Sequence, residues 1–105
     1  MAINGNQRAY LRAYLRAEAN SLDSLLHIGK EDVNENIVTE LDNLLRTREL
    51  VKVTVLKTNT TPIKELANDL AEKTAADIVQ VIGRKFVLYK FSEELAKKGK
   101  TIYNL

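Results

Sequence analysis

The sequence predicts a single α/β domain, a two-layer sandwich in which three helices pack on a four-stranded mixed sheet in the order αβαβαββ. A chain of 105 residues is long enough for one modest core and too short for two. Apolar residues make up 45% of the chain and charged residues 29%, as in ordinary globular domains. Segments with helical spacing of apolar residues alternate with short β-branched runs, which is the pattern of helices connecting strands.

The first helix is predicted over residues 4–20 and carries a row of arginines. The tetrapeptide Arg-Ala-Tyr-Leu occurs twice in succession, and a third arginine follows. Arg8, Arg12 and Arg16 therefore recur every four residues and lie on one face of the helix. Like charges at this spacing repel slightly, so the row favours a surface that meets an anion.

A glycine separates the first strand from the second helix. Gly29 ends the apolar run at residues 25–28, and a helix is predicted over residues 34–48, capped either by Asn34 or by Asp32 in a capping box. The first N–H groups of a helix lack internal partners, and the helix dipole is positive there. Lys30 adds a cation, so we expect contact with a phosphate backbone, although such turns are common in small α/β domains.

The middle of the chain predicts a second strand and a third helix. Apolar and polar residues alternate over residues 50–57, which indicates a strand. Helical spacing of apolar residues follows over residues 62–74. Pro62 is tolerated at the start of that helix, with Thr60 or Thr61 as its cap.

The last two strands are predicted to form a hairpin. β-Branched and apolar runs at residues 77–82 and 85–89 flank the pair Gly83-Arg84. Glycine in the first position of a two-residue connection suits a type II′ turn. Such a turn is expected to expose Arg84 and Lys85 at its tip.

Charge is distributed unevenly along the chain. The net charge is +2 over residues 1–30, −4 over residues 31–83 and +4 over residues 84–105. A one-sided basic face is therefore possible, and the null expectation is an ordinary solvated surface. We expect the folded domain to occupy residues 1–90 and a basic, loosely ordered tail to occupy residues 91–105.

Composition argues against an enzyme. The chain has no cysteine and one histidine, His27, and it lacks a P-loop, a dinucleotide-binding glycine pattern and a convincing pair of catalytic carboxylates. We expect no cofactor, no metal and no small-molecule substrate, and His27 is expected to be structural or to contact RNA. No signal peptide or membrane-spanning run is present in this sequence, so a cytoplasmic location without membrane contact is expected.

Four segments of the chain resemble the bacterial stand-alone CRM-domain proteins, the YhbY-like family of ribosome-associated RNA-binding proteins. They are residues 6–12, residues 27–30 with 33–37, residues 48–53 with 55–56, and residues 79–83 with 87–89. Their order and spacing match the family over residues 5–90. The last two are the most specific, because a generic strand does not need Glu-Leu-x-Lys-Val or Val-Gln-x-Ile-Gly.

The resemblance implies a fold similar to the C-terminal domain of bacterial translation initiation factor three. It also implies a non-catalytic role in maturation of the large ribosomal subunit, with ribosomal RNA or the pre-50S particle as partner. A monomer is sufficient for that role. The expected RNA-binding residues are Arg8, Arg12, Arg16, Gly29, Lys30, Arg84 and Lys85. The alternative is a protein-interaction module that docks on a ribosomal protein or assembly factor and has little RNA affinity.

The chain departs from the family at its GxxG loop, which is related in role to the clamp of KH domains on the nucleic-acid backbone. Here the loop is Gly-Lys-Glu-Asp, so Asp32 replaces the second glycine. Aspartate tolerates a left-handed backbone, so the turn can survive. Its charge, with that of Glu31, opposes a phosphate.

Replacing Asp32 by glycine is therefore expected to strengthen RNA binding, because the substitution removes a negative charge and a side chain from the loop. Filter binding of ribosomal RNA fragments to the wild type and to Asp32→Gly measures the effect. Equal or weaker binding by the variant would contradict the expectation.

Overall fold

The fold follows the predicted order of elements and adds a short helix at its end. The structure is a computed structural model, and it describes residues 13–30 and 33–99. The elements are α1 (described for residues 13–19), β1 (Ser24–Ile28), α2 (Glu35–Arg48), β2 (Leu50–Val55), α3 (Ile63–Thr74), β3 (Asp77–Ile82), β4 (Lys85–Tyr89) and α4 (Glu93–Lys97). None of the helices in the described ranges is long and apolar enough to cross a membrane.

The strands form one mixed sheet in the spatial order β1-β2-β4-β3. β1 and β2 are parallel and are connected through α2, whereas β4 lies antiparallel to both β2 and β3. The predicted single α/β domain with a four-stranded mixed sheet is confirmed. β1 and β3 lie at the two edges, and the central strands β2 and β4 carry most of the buried strand residues.

Helices α2 and α3 cover one side of the sheet, which we call the core face. The larger cluster of buried side chains lies there and comprises Leu26, Ile28, Leu41, Leu45, Val51, Val53, Val55, Leu66, Ala67, Leu70, Ala71, Phe86 and Leu88. Alternate residues of each strand point to this face, as the pleat of a β-sheet requires. Each large apolar side chain buried here contributes roughly 1.5–3 kcal/mol to folding.

Helix α1 packs on the other side of the sheet, which we call the second face. A smaller buried cluster lies there and comprises Leu15, Ala19, Leu50, Val79, Val87 and Tyr89. Two layers are predicted from the sequence, and in the structure α1 adds a partial third layer. The reason is visible in β4, where Phe86 and Leu88 belong to the core-face cluster while Val87 and Tyr89 belong to the α1 cluster.

The two central helices begin differently. Asn34 is the N-cap of α2, and its Oδ1 accepts a hydrogen bond from the backbone N–H of Ile37 at 3.0 Å. This resolves the choice of caps in favour of Asn34, and Asp32 lies outside the described residues. The N-cap of α3 is Pro62 itself, without a side-chain cap. The expectation that one of the two preceding threonines caps α3 is therefore wrong.

The turn between β3 and β4 has the geometry expected of a type II′ hairpin. Ile82 pairs with Lys85, so the connection has two residues. Gly83 has a φ of +57°, and Arg84 is not among the residues with positive φ. A type II′ turn requires a positive φ at its first central residue only, which explains the glycine at this position.

A buried glutamate holds the chain that follows the sheet. Glu49 is 0% exposed and adopts a φ of +65°, which is unusual for a residue other than glycine. Its carboxylate Oε2 accepts a hydrogen bond from Ser92 N at 2.7 Å, and its carbonyl accepts one from Lys90 N at 2.9 Å. These bonds fix residues 90–92 against the C-terminal end of α2.

The described part of the predicted tail is a short helix with its own cap. Ser92 accepts a hydrogen bond from Leu95 N at 3.3 Å and donates its hydroxyl to the carbonyl of Arg46. An exposed ion pair between Arg46 and Glu94, at 3.6 Å, adds little to stability. Residues 93–97 thus form a short helix that Ser92 joins to the end of α2, and residues 100–105 lie outside the described residues. The division of the chain into a domain and a loosely ordered tail stays a prediction.

Replacing Glu49 by alanine is expected to lower the free energy of unfolding by about 1–3 kcal/mol, because the buried N–H of Ser92 then loses its acceptor. Glu49→Gln keeps an acceptor oxygen and should cost less than the alanine variant. Urea denaturation of the three proteins measures the difference. Equal stability of Glu49→Ala and wild type would show that the bond to Ser92 contributes nothing.

Candidate functional site

Three segments of the chain meet at one end of the sheet, which we call the loop edge: residues 29–30, 56–61 and 83–85. β1 and β2 are parallel, so both end there. Leu56 N donates to the carbonyl of Ile28 at 2.8 Å, and Val55 N donates to the carbonyl of Arg84 at 2.8 Å. The glycine loop and the hairpin turn, which the sequence analysis treated separately, therefore flank the same strand end.

Arg84 joins the hairpin turn to the segment that follows β2. Its Nε donates to the carbonyl of Val55 at 3.0 Å, and its Nη2 donates to the carbonyls of Leu56 at 2.6 Å and Asn59 at 2.9 Å. The expectation that the turn exposes Arg84 is wrong, because the side chain is half-buried against these carbonyls. A guanidinium is suited to this task, since it presents several donors in a rigid plane.

Asn59 extends this set of bonds to the glycine loop. The residue is 3% exposed, its Nδ2 donates to the carbonyl of Gly29 at 3.0 Å, and its Oδ1 accepts from Thr61 N at 2.9 Å. Asn59 could not be singled out from the sequence, because a single asparagine in a polar stretch before a proline is typical of any loop. The Asn59 side chain thus connects the glycine loop to the segment that follows β2.

Gly29 has no conformational need to be glycine in this fold. Its φ is not in the left-handed region, and among the described residues an added Cβ would meet only Leu56 Cδ1, at an ordinary contact distance of 3.8 Å. Gly83 differs, because its positive φ disfavours other residues. Within residues 13–30 and 33–99, therefore, no atom closely blocks the approach of a ligand to this side of the Gly29 backbone.

Each of the three segments that meet at the loop edge carries an exposed lysine. The predicted contacts Lys30 and Lys85 are both exposed, and Lys57, which the sequence analysis did not single out, is exposed on the neighbouring segment. Within residues 13–30 and 33–99, the ion pairs involve other cations: Arg46 with Glu94, Lys73 with Asp69 and Lys90 with Asp42. Residues 31 and 32 of the loop lie outside the described residues, so the expected effect of Asp32 stays a prediction.

The arginine row of the first helix is described only at Arg16. Its exposed side chain donates from Nε to the carbonyl of Val79 at 3.4 Å. β3 has a register shift between Ile78 and Gln80, and such a bulge leaves one residue outside the regular ladder. Arg16 therefore lies beside β3, while Arg8 and Arg12 lie outside the described residues.

His27 lies on the second face, between two residues of β1 that point to the core. It is exposed, whereas Leu26 and Ile28 are buried. The part of the chain that the structure describes contains no group of three or more histidine, cysteine or acidic side chains placed to hold a metal ion.

Taken together, the fold and the loop edge define a small α/β domain with a glycine loop and exposed lysines at the ends of its parallel strands. The chain belongs to the CRS1/YhbY (CRM) domain family, which it matches over residues 4–90. This confirms the resemblance to the bacterial CRM-domain proteins.

Relatives of known sequence support this membership. The chain is 35% identical over 83 residues to a Bacillus subtilis protein named as the probable RNA-binding protein YqeI, covering 79% of this chain and 86% of the relative. A Haemophilus influenzae protein named as an RNA-binding protein is 31% identical over 83 residues, covering 79% of this chain and 84% of the relative.

A solved structure supports the fold. The solution structure of the hypothetical protein SAV1595 from Staphylococcus aureus, described as a candidate RNA-binding protein, superposes with a TM-score of 0.70. It shares 41% sequence identity with this chain and covers 88% of this chain and 92% of its own.

Replacing Asn59 by alanine is expected to lower the free energy of unfolding by about 1–3 kcal/mol, because two buried hydrogen bonds are lost. Asn68→Ala, on the exposed surface of α3, is the matched control and should change stability by under about 0.5 kcal/mol. Thermal or urea denaturation compares the two variants, and an equal effect of both would contradict the role given to Asn59.

Proposed function

We propose that this protein is a non-catalytic RNA-binding protein that holds the RNA backbone at the loop edge. The observation that carries the proposal is Gly29, a glycine that the fold does not require, flanked by exposed lysines. A backbone without a Cβ allows close approach of a phosphate, and the lysines supply positive charge. The names of the relatives, probable RNA-binding protein and RNA-binding protein, support the same function.

We further propose that the RNA is ribosomal, bound as a precursor or as part of the pre-50S particle, and that the protein acts as a monomer in the cytoplasm. The resemblance of the sequence to ribosome-associated CRM-domain proteins supports this part of the proposal. Contacts to phosphates position a protein on RNA and specify little sequence. A choice among RNAs therefore requires the shape of the RNA or contacts to its bases.

The proposed contacts fall into two groups. Gly29, Lys30 and Lys85 lie at the loop edge, where Lys57 joins them. Arg16 lies beside β3, and Arg8 and Arg12 are proposed to extend its row along the first helix. Arg84 is proposed to act on this site indirectly, because its guanidinium already binds three backbone carbonyls.

The substitution Gly29→Ala is expected to change RNA binding without destabilising the fold. The methyl group fits the free protein, so stability should be unchanged or higher by up to about 1 kcal/mol. RNA affinity should fall by about tenfold, which corresponds to the loss of roughly 1.4 kcal/mol of close backbone contact. Filter binding and thermal denaturation on the same preparation measure the two effects, and full RNA affinity in the alanine variant would contradict a backbone contact at Gly29.

The salt dependence of binding tests the arginine row. Substituting alanine for Arg8, Arg12 and Arg16 should reduce the slope of log affinity against log salt concentration by about 2–3, because three phosphate contacts are lost. The matched control removes the same charge elsewhere, with alanine at the exposed Arg48, Lys64 and Lys73 of α2 and α3.

An equal loss of slope in both triple variants would mean that only net charge matters. If the wild type binds no ribosomal RNA fragment even at low salt, the alternative of a protein-interaction module becomes the better account. Circular dichroism of the arginine variant checks that loss of the bond to Val79 has not unfolded α1.

A further inference from the structure

We propose that the uncovered part of the second face binds unpaired nucleotides of RNA through their bases. This inference rests on the proposed RNA binding and extends it from the phosphate backbone to the bases. The surface is a row of four residues, His27, Thr54, Lys85 and Ile82, which we call the exposed row.

The register of the sheet places these four residues side by side. His27 pairs with Thr54, Thr54 pairs with Lys85, and Lys85 pairs with Ile82, so the row crosses all four strands. Their sequence neighbours point to the core face, so the row points to the opposite side. Neighbouring strands are about 4.8 Å apart, and the row is therefore about 14 Å long, enough for more than one base.

The row lies beyond the part of the second face that the described part of α1, residues 13–19, covers. The side chains that α1 buries, those of Leu50, Val79, Val87 and Tyr89, come from other positions on the strands. Ile82 is 63% exposed, more than any other large apolar residue in the described ranges. His27 and Lys85 are also exposed, and Thr54 is half-buried with its hydroxyl bonded to that of Ser24.

The charges around the row favour a polyanion. Lys85 belongs to the row, and Lys52 precedes Thr54 by two residues on the same face. The acidic residue that the described strands place on this face is Asp77, which pairs with Tyr89 at the far end of the sheet. Arg16 borders the face at β3. A ligand that carries negative charge close to an apolar group is therefore expected to bind this surface most favourably.

Unpaired nucleotides have both properties, a negatively charged phosphate and an apolar face on the base. A base offers a flat face that can stack on an imidazole or lie against an aliphatic side chain, and the adjoining phosphate can bind a lysine. Bases inside a duplex hide their faces, so double-stranded RNA cannot use the row in this way. Lys30, at the end of the same strand as His27, lets one RNA chain contact the row and the loop edge together.

The test compares single-stranded and double-stranded probes. Hexauridine, hexaadenosine and a twelve-base-pair RNA duplex are titrated into the full chain, with affinity measured by fluorescence anisotropy and contacts mapped by NMR chemical shifts. His27→Ala and Ile82→Ser should each weaken binding of the single strands by about fivefold or more and leave duplex binding unchanged. The shifts caused by the single strands should include His27, Thr54 and Ile82.

Leu25→Ser is the matched control. Leu25 is 39% exposed on the same strand as His27 but lies outside the row, so its replacement should leave the affinity for single strands unchanged. All substituted residues are exposed, and melting temperatures confirm that each variant is folded.

Three results would overturn the inference. If the single strands bind with unchanged affinity to both row variants while Gly29→Ala weakens them, the exposed row makes no base contact and the proposed function stands. If Leu25→Ser weakens the single strands as much as the row variants do, the effect is not specific to the row. If neither single strands nor duplex bind the wild type, the proposed function fails together with the inference.

Discussion

The loop edge depends on the hydrogen bonds of the Arg84 guanidinium. Strands β1 and β2 end side by side with carbonyl groups that have no further strand to pair with, and buried carbonyls of this kind need donors. Arg84 supplies donors to three of them, and Asn59 carries the connection to the carbonyl of Gly29. The side chains of one arginine and one asparagine thus add to the backbone hydrogen bonds that join the three segments of the loop edge.

The cations of the domain have two different roles: some hold the backbone by hydrogen bonds, and others are exposed to a ligand. The guanidinium of Arg84 donates its hydrogen bonds to backbone carbonyls. The exposed lysines of the loop edge are therefore the cations there that can contact a ligand. Arg16 combines both tasks, because its Nε bonds to Val79 while its side chain is exposed. The sheet is divided similarly: its core face is sealed by two helices, and its second face is covered only in part, which leaves His27 and Ile82 in contact with solvent.

Much of the fold could be predicted from the sequence, because apolar periodicity and turn residues act locally. The element order, the mixed sheet and the turn at Gly83 follow from such signals. The fourth helix could not, because it depends on Glu49, whose buried carboxylate meets Ser92, 43 residues later in the chain. Arg84 looked like an exposed tip residue for the same reason: its three acceptors are 25 to 29 residues away. Gly29 and Lys30 could be recognised from the sequence as candidate contacts. Whether the fold requires a glycine at position 29 depends on its backbone φ and on the atoms around it, which only the structure shows.

The bulge in β3 lies at an exposed edge of the sheet, close to the exposed side chain of Ile82. A strand at the edge of a sheet offers unpaired N–H and C=O groups to any other strand, and an exposed apolar residue beside them increases the risk of aggregation. Ile82 is such a residue. The bulge at Val79 interrupts the regular spacing that a second strand would need, and Arg16 covers the carbonyl there with a charged side chain. Regular pairing of another strand with the edge next to the exposed Ile82 is therefore disfavoured.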